Sequence, residues 1–376
     1  MLDSSTYVGG LPIGAIVSGQ FAGKAQFLPC DGAEYTKAAY PAMADFTGLA
    51  SFGSNTLQTR TLPASSQWCA VAYGNGMFVA VSKTSGTVAA SSPDGITWTS
   101  RTIPSGAYNA VAYANGLFVA VGSNLVSTSP DGITWTSRTA GTNQGGCVSY
   151  GGGLWVSGGS GITSADANTY ATSPDGVTWT SRTLPASASY AVIKWLGDRW
   201  AALAYSVSGA ATTVMYWSVD AVTWYSVAAP LSGTWYNIES FKGRLCMSAS
   251  TGSVVSLPES AYVGAASALL AGWSWLGAPD NGTYLAKVGE WLLKWAGSGL
   301  VSASLDGQTW RPLVGLPAMT VQNPHMHIAF GNNALVFLHG GAAQTAAYSL
   351  SVDTAKFRLP LVRSFSEVDR PYMKVA

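Results

Sequence analysis

One short segment, copied along the chain, constrains this sequence more than anything else in it. Ser92-Pro93-Asp94-Gly95-Ile96-Thr97-Trp98 returns as Ser129-Pro130-Asp131-Gly132-Ile133-Thr134-Trp135 and again as Ser173-Pro174-Asp175-Gly176-Val177-Thr178-Trp179. Weaker copies run from Ser218 through Asp220 to Trp224 and from Ser304 through Asp306 to Trp310. The tryptophans stand 37, 44, 45 and then 86 residues apart, so one copy has decayed inside the last gap, where Trp275 sits.

A second pattern accompanies the first: an apolar run, a turn rich in Gly or Asn, and another apolar run. It occurs at residues 69–82, 109–122, 147–159, 191–204, 236–249, 284–296 and 326–339. Each copy reads as two buried strands joined by a tight turn such as Gly74-Asn75-Gly76. A third strand leads into the Ser-Pro-Asp-Gly turn, and a fourth leaves through Trp98-Thr99-Ser100-Arg101-Thr102 and its equivalents. Four strands per repeat at a period of about 43 residues is the arithmetic of a β-propeller blade. The expected fold is all-β, a seven-bladed β-propeller with four-stranded blades over residues 56–352. Stacked blades bury each other's faces, which accounts for Gly/Ala-rich inner strands and little charge.

The turn has its own logic. Pro93 sets φ on entry, Gly95 tolerates positive φ, and Asp94 can accept backbone N–H groups of its own turn. Trp98 is expected to pack between neighbouring sheets. The same structural roles fall to Asp131 and Trp135, Asp175 and Trp179, Asp220 and Trp224, and Asp306 and Trp310. Two segments compete to complete the last blade: residues 56–63, nearly identical to the outgoing strand at 181–185, and residues 357–360. The closer match favours 56–63, which would build that blade from both ends of the repeat region and leave no open edge.

Composition excludes several classes. Nineteen Lys and Arg against 18 Asp and Glu give a net charge of +1, so no face can carry the positive excess that nucleic-acid binding needs. An apolar content of 48% excludes disorder. The longest apolar-looking stretch, residues 261–278, is broken by Gly264, Gly272 and Gly277, so no membrane span is expected, and residues 1–7 show no secretion signal. Cys30, Cys69, Cys147 and Cys246 lack metal-ligand spacing and read as reduced, mostly buried thiols.

The repeated segment resembles the Asp-box of sialidase-like propellers, Ser-x-Asp-x-Gly-x-x-Trp, with one residue fewer between Asp and Trp. That resemblance speaks to fold, because the same turn serves unrelated functions. Before the repeats stand Gly14, Cys30-Asp31-Gly32 and Tyr40-Pro41, and after them Phe357, Leu359 and Pro360. These residues resemble the tail-collar module of bacteriophage tail fibres. Met43 stands for the usual Leu, and Leu361-Val362-Arg363 replace the acidic residue and Gly that usually follow Leu-Pro. Tyr40, Met43 and Phe46 are spaced as one face of a short helix capped by Thr36. The expected organisation is a discontinuous collar-like α+β module, residues 1–55 and 353–376, with the propeller inserted in a loop.

Catalytic constellations are not evident. A sialidase needs converging arginines, yet Arg60, Arg101, Arg138 and Arg182 recur at one repeat position, which reads as structural. His325 and His327 alternate on one strand face and are weak metal candidates without carboxylate partners, so no metal and no cofactor is expected. No phosphate loop or nucleophile elbow stands out. Aromatics beyond core need include Tyr205, Tyr216, Trp217, Tyr225, Trp235 and Tyr236, in repeats that have lost the strong consensus. Flat rings suit sugar faces, so these six are the candidate binding residues.

The functional expectation is a non-enzymatic virion protein of a phage tail tip or tail fibre, assembled in the host cytoplasm. Its propeller would recognise a host-surface receptor, glycan or protein. Its partners would be other tail or fibre proteins and, as the collar resemblance implies, two further copies in a homotrimer. The alternatives are a virion-associated glycan-degrading enzyme and a purely structural tail spacer.

Overall fold

The structure is a computed structural model. It describes residues 58–140, 145–158, 168–185, 189–207, 210–233, 235–249, 254–258, 274–275, 284–288, 291–295, 300–304, 307, 310–315, 327–338, 344–351 and 353–358, with 16–18, 27–29, 34–36, 50–51 and 371–374 toward the termini. Two compact units emerge: Met1–Asn55 with Ser351–Ala376, and Thr56–Leu350.

The larger unit is made of four-stranded antiparallel sheets. Blade 1 comprises Trp68–Gly74, Met77–Ser82, Gly86–Ser92 and Thr99–Gly106. Blade 2 runs from Tyr108–Ala114 to Thr136–Arg138, blade 3 from Cys147–Gly151 to Thr180–Thr183, and blade 4 from Ser189–Trp195 to Tyr225–Gly233. Blade 5 runs from Trp235–Phe241 to Ser274–Trp275, and blade 6 from Tyr284–Val288 to Arg311–Gly315. One further four-stranded sheet is composite: His327–Gly331, Ala334–Leu338 and Gln344–Ser351 are joined by Gln58–Ser66 from the other end of the repeat region.

The expected fold class needs correction on two points. Six blades, not seven, are built from strands contiguous in the chain. The last hairpin has a third strand but no fourth of its own, and Gln58–Ser66 from the other end of the repeat region fills that place in the composite sheet. The α+β description of the end module also fails for the described residues, which are strands only. Thr36, the expected helix cap, ends the strand Glu34–Thr36. The rest of the expected helix, residues 37–48, lies outside the described residues, as do Gly14, Cys30, Asp31, Gly32, Tyr40 and Pro41.

Of the two candidates for the closing strand, the segment containing 58–63 takes the place. Ala347 pairs with Arg60 and Tyr348 with Thr59. Arg60 Nε donates to Ser349 Oγ at 2.8 Å, the same contact that Arg101 makes with Ser91 in blade 1. Leu62 is buried among Trp68, Val336, Leu338 and Ala347. Residues 353–358 pair instead with Glu34–Thr36 and Ala50–Ser51. In the smaller unit, Pro371–Lys374 lies between Ile16–Ser18 and Phe27–Pro29. Both of its three-stranded sheets therefore place a C-terminal strand between two N-terminal ones.

The core lies between blades. Trp98 of blade 1 packs with Val336 and Leu338 of the composite sheet, and Trp179 of blade 3 with Val119, Val121 and Val126 of blade 2. Trp224 of blade 4 donates its indole N–H to Tyr170 Oη of blade 3 at 2.9 Å. These three tryptophans thus pack their blades onto the preceding sheet. Gly95 sits at φ 71°, and a Cβ there would meet Val336 Cγ2 at 2.6 Å. Both the backbone and the space exclude a side chain.

Candidate functional site

The Ser-x-Asp turns behave as structural devices. Asp94 Oδ1 accepts the N–H groups of Ile96 and Thr97 at 2.8 and 3.0 Å, and Ser92 Oγ accepts Gly95 N–H at 2.9 Å. Asp131, Asp175 and Asp220 repeat the carboxylate bonds. Asp306 lies outside the described residues, but Gly307 N–H still donates to Ser304 Oγ at 2.9 Å. Partial burial opposes ionisation of Asp94, yet the Thr97 and Ile96 N–H groups outweigh it and hold the carboxyl below its ordinary value. The N–H groups of Thr134 and Thr178 lead the same effect at Asp131 and Asp175, and those of Thr223 and Val222 bring Asp220 to about 2.

The repeat supplies internal controls for every blade position. In blade 1, Ser91 on the third strand pairs with Thr99 on the fourth and accepts Arg101 Nε at 2.8 Å. Thr128 with Arg138, Thr172 with Arg182 and Ser349 with Arg60 reproduce the contact, and in blade 5 Ser256 accepts from Arg244. The recurring arginines are therefore held separately, each within its own sheet. Blade 6 has Ala303 paired with Arg311.

Blade 4 departs from this scheme. The register places Trp217 where five sheets carry Ser or Thr and blade 6 carries Ala303, Tyr225 where blade 1 has Thr99, and Val227 where blade 1 has Arg101. Trp217 and Tyr225 stack with ring centroids 4.9 Å apart and planes 29° apart. The Arg199 guanidinium lies 5.8 Å from the Trp217 ring and is also paired with Asp198. Tyr225 is 51% exposed, and beside it in the chain Val219 and Val222 are 62% and 49% exposed. The outer part of blade 4 thus presents a stacked aromatic platform with a cation over one ring and apolar side chains on the adjoining turn.

Of the six candidate binding residues, only Trp217 and Tyr225 form this pair. Tyr216 is buried with Trp200 and Leu184, and Trp235 is buried with Leu203 and Met247, so both serve packing. Tyr236 is half-buried on the inner strand of blade 5, and Tyr205 lies in the strand Trp200–Val207. His325 lies outside the described residues, and His327 opens the strand His327–Gly331. Among the described residues no group of three or more His, Cys, Asp or Glu could hold a metal, and no helix is long and apolar enough to cross a membrane. Cys69, Cys147 and Cys246 are not in disulfides among the described residues, and burial pushes the Cys69 thiol up to about 12, far from a reactive thiolate. Sequence reasoning missed Arg199, because cation–ring proximity across a hairpin depends on register.

Solved structures with the same arrangement decide the architecture. The fold is a β-propeller. YCF48 from Cyanidioschyzon merolae superposes with a TM-score of 0.58 at 14% identity, covering 78% of this chain and 98% of that one. YCF48 bound to D1 peptide gives 0.56 at 15% identity, covering 81% and 100%. The WD40 β-propeller domain of Doa1 gives 0.54 at 12% identity, covering 78% and 95%. At these identities the likeness is one of fold alone. No family model and no curated protein matches the chain.

Proposed function

We propose that this protein is a non-catalytic recognition propeller whose ligand docks on the Trp217–Tyr225 platform of blade 4. One observation carries the reading. In five sheets the position of Trp217 is a hydroxyl residue hydrogen-bonded to arginine, and blade 4 alone replaces it with an aromatic stacked on a second, exposed aromatic. Exposed apolar area forfeits about 25 cal/mol per Å² that burial would contribute. Five other sheets form with Ser or Thr at this position, and although the inner side of Trp217 packs on the core beneath it, the stacked face shared with exposed Tyr225 is what a ligand would use.

The setting we propose is a phage tail tip or fibre, with host-surface recognition as the task and a homotrimer as the assembly. The tail-collar-like residues Phe357, Leu359 and Pro360 and the interleaved terminal strands support that setting. The Ser-x-Asp turns support kinship with Asp-box propellers. The D1 peptide held by YCF48 supports a protein segment as one receptor class, and the flat stacked rings support a glycan as the other.

The test uses the purified full-length chain and host cell-surface extract fractionated into polysaccharide and protein. Saturable binding to one fraction that Trp217→Ser abolishes is the expected result. Binding untouched by Trp217→Ser, or sustained release of reducing ends from the polysaccharide, overturns the reading.

A further inference from the structure

The hairpin ends of the inner strands carry a second feature. The residue two places before each inner hairpin turn is Tyr73, Tyr113, Tyr150 and Trp195 in blades 1 to 4, and Phe330 in the composite sheet. These positions line the same end of successive blades and form an arc. A Cβ on Gly331 would collide with the Tyr73 ring, one on Gly74 with Tyr113, and one on Gly151 with Trp195, so these three rings lie over the ends of neighbouring strands. Each is also braced within its own sheet, Tyr73 on Phe78 at 4.6 Å, Tyr113 on Phe118 at 4.6 Å, Tyr150 on Trp155 at 5.0 Å and Trp195 on Trp200 at 5.3 Å.

Packing explains the rings but not their polar atoms. Phenylalanine fills the position in the composite sheet, so a hydroxyl is not needed to hold the arc. The core tyrosines show how this protein treats phenols it buries: Tyr108 Oη donates to Pro104 O at 2.7 Å, and Tyr170 Oη to Ala221 O at 2.7 Å. The half-buried Tyr73, Tyr113 and Tyr150 hydroxyls and the Trp195 indole N–H make no hydrogen bond among the described residues. Four donors in successive blades therefore stand on fixed rings without an acceptor among the described residues.

The arc ends in positive charge. The equivalent position is Ser240 in blade 5 and Lys287 in blade 6, and Lys287 is exposed with no ion pair among the described residues. Its backbone N–H and the Lys194 ammonium both donate to Glu239 Oε1, which ties blades 4, 5 and 6 together and satisfies Lys194. Lys242, on the blade 5 hairpin turn, adds a second exposed cation. Only 37 of 376 residues are charged, so this grouping stands out from the rest of the chain.

We propose that the arc of Tyr73, Tyr113, Tyr150 and Trp195, ending at Lys287 and Lys242, binds an acidic saccharide chain. Near-identical aromatic faces at the blade spacing suit a ligand of repeating ring units, whose apolar faces stack and whose hydroxyls accept from the idle donors. The lysines take a sugar carboxylate. A peptide would present unlike side chains to like positions. The inference shares with the blade 4 reading only the premise that the ligand is bound and not processed.

The test titrates the full-length protein with oligogalacturonate, its methyl-esterified counterpart and polyglutamate, followed by tryptophan fluorescence. Oligogalacturonate is expected to bind saturably, more weakly at high salt, and at least tenfold better than the ester or polyglutamate. The combined Tyr73→Phe, Tyr113→Phe and Tyr150→Phe variant keeps every ring, so its melting temperature stays put while affinity falls about tenfold. Lys287→Gln weakens binding severalfold and flattens the salt dependence. Equal binding of the ester or of polyglutamate, absence of saturation, or unchanged affinity in the Phe variant overturns the proposal. Trp217→Ser is the separating control. If it alone removes binding, the arc is refuted and the blade 4 reading stands; if only the arc variants do, the reverse holds.

Discussion

Asn75, in the hairpin turn of blade 1, donates its side-chain amide to the carbonyl of Pro130 in the Ser-x-Asp turn of blade 2, at 3.3 Å. Asn332 of the composite sheet makes the same bond to Pro93 of blade 1, at 2.6 Å. Both asparagines sit at positive φ, 47° and 46°. One residue type therefore meets two needs: it tolerates the left-handed turn and fastens neighbouring sheets.

Asn332→Ala is expected to lose both contributions, roughly 1–2 kcal/mol from the strained backbone and about 0.5–1.5 from the bond. Asn332→Gly relieves the strain and loses only the bond. Urea denaturation of the two variants should rank them wild type, Gly, Ala; equal stability of all three would show that the clasp adds nothing.

Leu62 tests the composite sheet. It is 2% exposed and packs among residues from the far end of the repeat region. Leu62→Ala should cost about 2–5 kcal/mol, as for other buried leucines. Its particular signature is faster amide exchange in Gln344–Ser351, the strand to which Gln58–Ser66 is paired. Unchanged exchange there would argue that the closing strand is dispensable.

The turn aspartates set an acid limit. Their folded carboxyls titrate below the unfolded value of about 3.9, so their contribution is present above about pH 4. It is lost as pH falls through the folded values, about 2 for Asp220. Melting temperature should be level from about pH 7 down to about pH 5 and then drop between about pH 4 and 2. Combining Asp131→Asn with Asp175→Asn should lower the plateau and shrink that drop.

Blade 4 can be returned to the common scheme. Trp217→Ser with Val227→Arg recreates the pair that Ser91 and Arg101 make in blade 1. Stability is expected to stay within about 1 kcal/mol of wild type, since one cross-strand pair replaces another, while receptor binding is lost. A large loss of stability would show that the platform is structural.

Much of the fold was legible because it is periodic. Copies of one turn and one hairpin declare their strands through local chemistry: Pro and Gly at fixed φ, Asp beside the N–H groups it accepts, and alternating apolar residues. The site was legible only in part. Trp217 and Tyr225 stood out as surplus aromatics, but so did Tyr216 and Trp235, which the core absorbs. Alternation on a strand tells which residues share a face, and not which face meets a neighbouring blade.

Local sequence alone therefore determined the repeat, the turns and the strand order within each blade, since these depend on contacts a few residues apart. Tertiary structure decided how the last sheet is completed, which brings Arg60 to Ser349 across 289 residues of chain. It also decided which aromatics stay exposed and which phenols go without an acceptor among the described residues. Those outcomes turn on the register between strands and on how one blade's side chains fill the space left by the next, and neither is encoded at short range.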